Sequence, residues 1–358
     1  MLRSLSSRFL RRAAGAIDRV ATVAVQVGTK LPSHEDPLPP AFDERLEFLR
    51  RVAASYAALD DEVLFPVPAL PRPSYRAQGE LRSGLTRTDL SWRSEYEARL
   101  PDFRARYGRT LENEVAKARL YTRARPRPVV ILIHGYMMGN HTVDELVWPI
   151  EWLDRLGFDS AALVLPFHGQ RADARRRGRP EFPGRDPRMA NEGFCHSVFD
   201  LRALAALLRS RGHPALGVLG VSLGGYTAAL AATVESELAF AVPVIPLASL
   251  ADYALDNGSL AVAREAEALE YELVDRVHRR VSPLARAPRI ARERVLVVGG
   301  RSDRITPVSH ARRLALHFGA PLTTWDGGHI VQLGRGAVFD KVGEFLQNSL
   351  RPDHRRAR

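Results

Sequence analysis

Three residues of this chain have types and settings that together can do acyl-transfer chemistry: Ser222 in "GVSLGG", Asp303 in "GRSDRITP" and His329 in "DGGHI". A serine hydroxyl is a poor nucleophile until a base takes its proton, and the base works only when an acid holds it in the right tautomer. A serine between spaced glycines can be that nucleophile on a strained turn, or it can be an ordinary turn serine. The elements around it decide between the two.

Those elements follow from the pattern of apolar residues. "VVILIHG", "SAALVLP", "ALGVLGV", "AFAVPVIP", "RVLVVGG" and "LTTWD" read as short buried strands. Between and after them, "DELVWPIEWLDRLG", "SVFDLRALAALLRSRG", "YTAALAATV", "PVSHARRLALHFG" and "AVFDKVGEFLQNSL" have helical period. Buried strands alternating with amphipathic helices predict an α/β chain with a mostly parallel, doubly wound sheet, whose ligands bind at the carboxyl ends of the strands. Ser222 then falls where a strand meets a helix, and Asp303 and His329 each fall just past a later strand. In that order along the chain, the three match the arrangement of hydrolases built on such a sheet.

A tetrahedral oxyanion needs donors fixed in advance. The Leu223 amide, directly after the serine, is one candidate, and the Tyr136 or Met137 amide in "HGYMMGNH" is the other. His134, His168 and Arg171 are the candidate substrate contacts. The run Arg171, Arg175, Arg176 and Arg177 either receives an anionic group or is a solvated face. Asp252 is the rival acid, because some related folds carry the acid after that earlier strand; Asp326 is too close in sequence to His329. No His, Asp or Glu spacing suggests a metal pair, and the chemistry needs no cofactor.

The 358 residues are enough for one catalytic domain with a substantial extension, and 45% hydrophobic against 26% charged residues indicates a globular chain. The excess of 52 Lys and Arg over 41 Asp and Glu gives a formal charge of +11, which attracts anionic surfaces or substrates. No aromatic-interleaved basic motif, zinc spacing or recognition helix points to nucleic acid. The single Cys195 excludes an intrachain disulfide and fits a reducing, cytoplasmic setting. Residues 1–31 read as a basic amphipathic helix, without the continuous apolar run of a signal peptide. That helix either lies peripherally on an anionic membrane through residues 1–30 or docks on its own domain. Residues 32–83 read as a proline-rich extension wrapping the surface around a helix near "DERLEFLRRVAASYAAL", 84–350 as the catalytic domain, and 351–358 as a basic tail. Within 84–123 two pieces, "LTRTDLSWRSEY" and "NEVAKARLYTRA", read as an antiparallel sheet edge. The segment from about 250 to 292 reads as a helical cap.

Taken together, "LIHGYMMGN", "GVSLGG", "GRSDRITP" and "DGGHI" resemble the α/β-hydrolase superfamily over about 125–350. "LVLPFHGQR" with its long loop, the doubled glycine after the serine and "GGH" look most like a poorly characterised intracellular branch of α/β-hydrolase-domain proteins. The resemblance implies the α/β-hydrolase fold with a helical cap insertion and an N-terminal extension. It implies Ser222 as nucleophile, His329 as base, Asp303 as orienting acid, and the amides of Leu223 and of Tyr136 or Met137 as the oxyanion hole. The expected activity is cleavage of a small-molecule or lipid ester or thioester through an acyl-enzyme, with an apolar acyl group favoured by the basic surface, the amphipathic start and the cap. The alternatives are an acyltransferase using the same triad and a non-catalytic binding protein on the same fold. A peptidase has no accessory repeat here to support it, and halide chemistry would need an aspartate in place of Ser222. Composition and motifs say nothing about oligomeric state.

Overall fold

A computed structural model describes residues 38–176, 179–261, 263–330 and 335–351. The expected helix over 1–31, Arg177 and the basic tail from 352 lie outside the described residues. A nine-stranded sheet runs in the order β1-β2-β3-β5-β4-β6-β7-β8-β9. Its parallel part is β4 (Val129–Ile133), β5 (Asp159–Leu163), β6 (Leu216–Val221), β7 (Ala241–Val244), β8 (Val297–Gly300) and β9 (Leu322–Trp325).

These strands are apolar on both faces because helices cover both faces. Val129, Ile131 and Ile133 of β4 face one core cluster, and Val130 and Leu132 face the other, as the two-residue period of a strand requires. The first cluster is closed by α1 (Phe42–Ala57), α3 (Pro187–Ser210), α4 (Leu223–Val234) and α7 (Val308–Phe318). The second is closed by α2 (Ile150–Arg155) and α8 (Gly336–Asn348).

Local chemistry explains where elements depart from the sequence reading. The helix expected over "DELVWPIEWLDRLG" is broken: Pro149 cannot donate into a helix, so only a short turn at His141–Asp144 precedes it and α2 starts at Ile150. Helix α3 begins ten residues before the expected start, with Asp186 accepting from the Arg188 amide as its cap and Pro187 at its first position. Its first turns are buried almost all round, so they carry no amphipathic stripe to read.

The antiparallel edge forms as expected from β2 (Thr86–Arg93) and β3 (Val115–Thr122), with β3 antiparallel to β5. Within 32–83 the expected helix forms as α1, and a further strand that the sequence reading did not include, β1 (Ser74–Glu80), pairs antiparallel with β2. "SYRAQGE" has no apolar alternation because both its faces are largely exposed. The extension also reaches into the core. Tyr56 of α1 is fully buried, and its hydroxyl donates 2.7 Å to Glu192 on α3.

The cap segment holds two helices, α5 (Leu250–Asp256) and α6 (Arg264–His278), followed by short helical turns. Helix α6 packs on α1, where Arg45 Nε donates 2.6 Å to Glu270 Oε1. Among the described residues no helix is long and apolar enough to cross a membrane.

Candidate functional site

Ser222 stands between the end of β6 and the start of α4, with φ +59° and ψ −113°. That backbone is strained for a serine and is held by its surroundings: the Ser222 amide donates 2.9 Å to Val244 O, and Tyr226 and Leu247 donate to Ser222 O at 3.0 and 3.3 Å. The glycines are there because nothing larger fits. A Cβ on Gly220 would run into Gly224 O, and one on Gly224 would run into the carbonyls of Ile133 and His134. The turn is therefore pressed against the end of β4, and a Cβ on Gly135 would lie 3.6 Å from Ser222 Cβ. Gly224→Ala is expected to cost about 1–3 kcal/mol by overpacking, seen as a lower urea midpoint. Gly336→Ala, where a Cβ meets open space, should leave the midpoint in place.

The acid and base loops are joined before they reach the site. Beyond β8, the Arg301 amide donates to Trp325 O at 2.9 Å, the Ser302 amide to Gly327 O at 3.2 Å, and Ser302 Oγ to Asp326 O at 2.9 Å. Asp303 follows, its side chain fully buried. Its Oδ1 accepts from the amides of Ile305 (2.9 Å) and Thr306 (2.8 Å), and its Oδ2 lies 2.7 Å from His329 Nδ1. The carboxylate thus has one oxygen fixed by backbone and the other facing the imidazole. Ser302 was not visible as a functional residue in the sequence. The nearest signal was its position between strand end and acid.

Asp252, the rival acid, is engaged elsewhere. It lies on α5, where Tyr271 donates to its Oδ1 at 2.7 Å and Arg313 pairs with its Oδ2. Asp326 pairs with Arg301 at 2.9 Å.

The loop after β4 lies alongside the serine turn. Met138 donates back to Gly135 O at 3.3 Å, Met137 takes φ +66°, and the Gly139 amide donates 2.9 Å to Asp144 Oδ2. Burial pushes the Asp144 carboxyl up to about 6 against that hydrogen bond. Asp144 is a second residue the sequence did not single out, lying inside an apparently helical run. Among the described residues the amides of Tyr136, Met137 and Leu223 donate to no protein acceptor.

Two of the expected substrate contacts are corrected by their surroundings. His134 is buried, with Nδ1 2.7 Å from Gly135 O and Nε2 accepting from the Leu165 amide at 3.0 Å. Burial pushes it down to about 4, so it is a neutral strut between the ends of β4 and β5. Arg171 is fully buried and pairs with Asp200 at 2.7 Å, so it is a core cation rather than a surface receptor for anions. His168 is also fully buried, yet it borders the site: its ring stands edge-on to Tyr136, centroids 5.7 Å apart. Of the other arginines, Arg175 pairs with Asp173 at 2.8 Å, and Arg176 lies 3.9 Å from Glu181.

Elsewhere a serine, a histidine and an aspartate meet. Ser94 Oγ donates to Asp200 Oδ1 at 2.6 Å and lies 2.9 Å from His196 Nε2. Arg171 and Tyr107 occupy the same imidazole at 3.0 Å each, and all members are buried. With no strained turn and no access from solvent, this grouping is part of the core.

The family described as Alpha/beta hydrolase domain containing 18 matches residues 196–304, and the family described as TAP-like protein matches residues 274–357. Uncharacterized proteins from two strains of Mycobacterium tuberculosis, CDC 1551 / Oshkosh and H37Rv, are each 32% identical over 218 residues, which is 59% of this chain and 52% of theirs. The chain spans about half the length of these curated relatives. Among solved structures, acetyl xylan esterase 1 from Thermoanaerobacterium sp. JW/SL YS485 is similar with a TM-score of 0.53 at 17% identity, covering 88% of this chain and 96% of its own. The acetyl xylan esterase from Paenibacillus sp. R4 has the same score and identity, covering 87% and 96%. At that identity the likeness is one of fold.

Proposed function

From the premise that this chain is a member of the α/β-hydrolase superfamily, we propose that it is a serine hydrolase cleaving carboxylic esters or thioesters. The observation that carries the reading is the 2.7 Å contact between His329 Nδ1 and Asp303 Oδ2, on loops at the same sheet end as the strained turn of Ser222. With Nδ1–H directed at the carboxylate, Nε2 keeps its lone pair and takes the Ser222 proton as Oγ adds to the substrate carbonyl. The Leu223 amide and that of Tyr136 or Met137 hold the oxyanion. Collapse of the tetrahedral species breaks the bond to the leaving alkoxide or thiolate, which receives the proton from Nε2. Water then repeats the sequence on the acyl-enzyme, returning the acid product and free Ser222.

An apolar acyl group suits the side chains near these loops. Met137 and Ile330, the latter next to His329, are both more than half exposed, and Leu250 and Tyr253 of α5 are half-buried. The acetyl ester named for the two esterases of like fold is of the same reaction class.

A fluorophosphonate probe tests the reading. The native protein should acquire one adduct, located by peptide mass at Ser222, and heat-denatured protein should acquire none. An adduct elsewhere, or none on the folded chain, would overturn it.

A further inference from the structure

One buried hydroxyl touches the candidate base, the candidate acid and the backbone just past β7. Thr306 sits at the start of α7, only 4% exposed, and its Oγ1 lies 3.1 Å from His329 Nδ1, 3.2 Å from Asp303 Oδ2 and 3.0 Å from Ile245 O. Its own amide donates to the other carboxylate oxygen, Asp303 Oδ1, at 2.8 Å. Ile245 follows β7 directly with φ +41°, a strained value for a β-branched residue. It also adjoins the turn, since Val244 O accepts from the Ser222 amide at 2.9 Å. The acid loop, the base loop and the strand that anchors the serine turn thus meet on one oxygen.

A hydroxyl carries one proton and two lone pairs. Whether the proton goes to Ile245 O or to Asp303 Oδ2, a lone pair is left facing the imidazole N–H. We propose that Thr306 is a positioning residue for the reaction, giving the His329 Nδ1–H a second acceptor beside Asp303 and tying both loops to the end of β7. This role rests on the serine-hydrolase reading above. Through it the ring is held against rotation with Nδ1 protonated, which keeps Nε2 a proton acceptor. Thr306 acts through His329 and touches no substrate atom.

Thr306→Val keeps the shape and removes the hydroxyl, whereas Thr306→Ser keeps the hydroxyl and removes a methyl. Turnover of a p-nitrophenyl ester by the full chain should fall about 10- to 100-fold in kcat for Thr306→Val, the size of one charge-assisted hydrogen bond. KM should stay within about twofold, because ground-state binding is untouched. Thr306→Ser should recover kcat to within about threefold of the native value. If the valine variant does not fold, Thr306→Cys, similar in volume with a weakly hydrogen-bonding sulfur, takes its place and should be slow in the same way. A valine or cysteine variant with native kcat, or a serine variant as slow as valine, overturns the positioning role alone. Failure of the native chain to label at Ser222 overturns the serine-hydrolase reading, and this role with it.

Discussion

Turnover by the Asp303→Asn variant is expected to fall about 10⁴-fold in kcat with the fold intact. The reason lies in how the carboxylate is bound. Its Oδ1 accepts from the amides of Ile305 and Thr306, so an asparagine must keep its carbonyl oxygen there and turn its NH₂ toward His329. An NH₂ facing Nδ1 forces the ring into the tautomer with its proton on Nε2, the nitrogen that takes the serine proton in the proposed mechanism. The base is then blocked rather than merely misaligned. Kinetics on an activated ester, with Ser222→Ala as the floor, would check this. A drop of less than about tenfold would mean that Asp303 does not orient the base.

Arg171→Met is expected to cost about 3–5 kcal/mol of stability, because it strands a buried carboxylate. The guanidinium donates to Asp200 Oδ2 at 2.7 Å, to Val164 O at 3.0 Å and to Asn113 O at 2.9 Å, with neither Arg171 nor Asp200 exposed. Burial alone would push the Asp200 carboxyl up from its ordinary 3.8. The neighbouring His196 and Arg171 outweigh it and hold the group at about 2. The guanidinium is the lasting charge, since burial pushes His196 down toward its neutral form. A depressed carboxyl stabilises the fold above its unfolded value and loses that contribution as pH falls through its folded one. The deficit of Arg171→Met should therefore be full at neutral pH, where the stranded carboxylate is charged, and shrink as pH falls toward about 2, where Asp200 takes up its proton in both proteins. Urea titrations across that range would show it, with Arg175→Met, on an exposed side chain, as the unchanged comparison. A deficit that is absent at pH 7 would contradict the ion pair's role in the core.

How far these properties could be read from sequence depended on what each residue had to satisfy. The places of Ser222, Asp303 and His329 just past strand ends were legible because buried parallel strands must be apolar runs, and such runs fix where strand ends fall. The glycines around Ser222 were legible too, since backbone meets backbone there and no Cβ fits. His134 and Arg171 were misread for a common reason. Their types suggest polar surface, whereas burial with complete local partners makes them internal ties. Strand β1 and the first turns of α3 were missed for opposite reasons, one exposed on both faces and the other buried all round. Periodicity reports only a surface that is half wet. Thr306 gave no sign at all, because its role depends on three segments far apart in the chain.

The contact between α1 and α6 bears on what the expected cap is able to do. Arg45 of α1 and Glu270 of α6 are 225 positions apart, and Glu270 also accepts from the Ala261 amide at 2.8 Å, at the loop joining α5 to α6. Tyr56 near the other end of α1 is rooted in the core through Glu192. Helix α1 therefore works as a buttress, with its footing in the core through Glu192 and its first turn tied to the expected cap through Glu270. A chain shortened to begin after α1 would keep the serine turn and lose the tie between the core and α6.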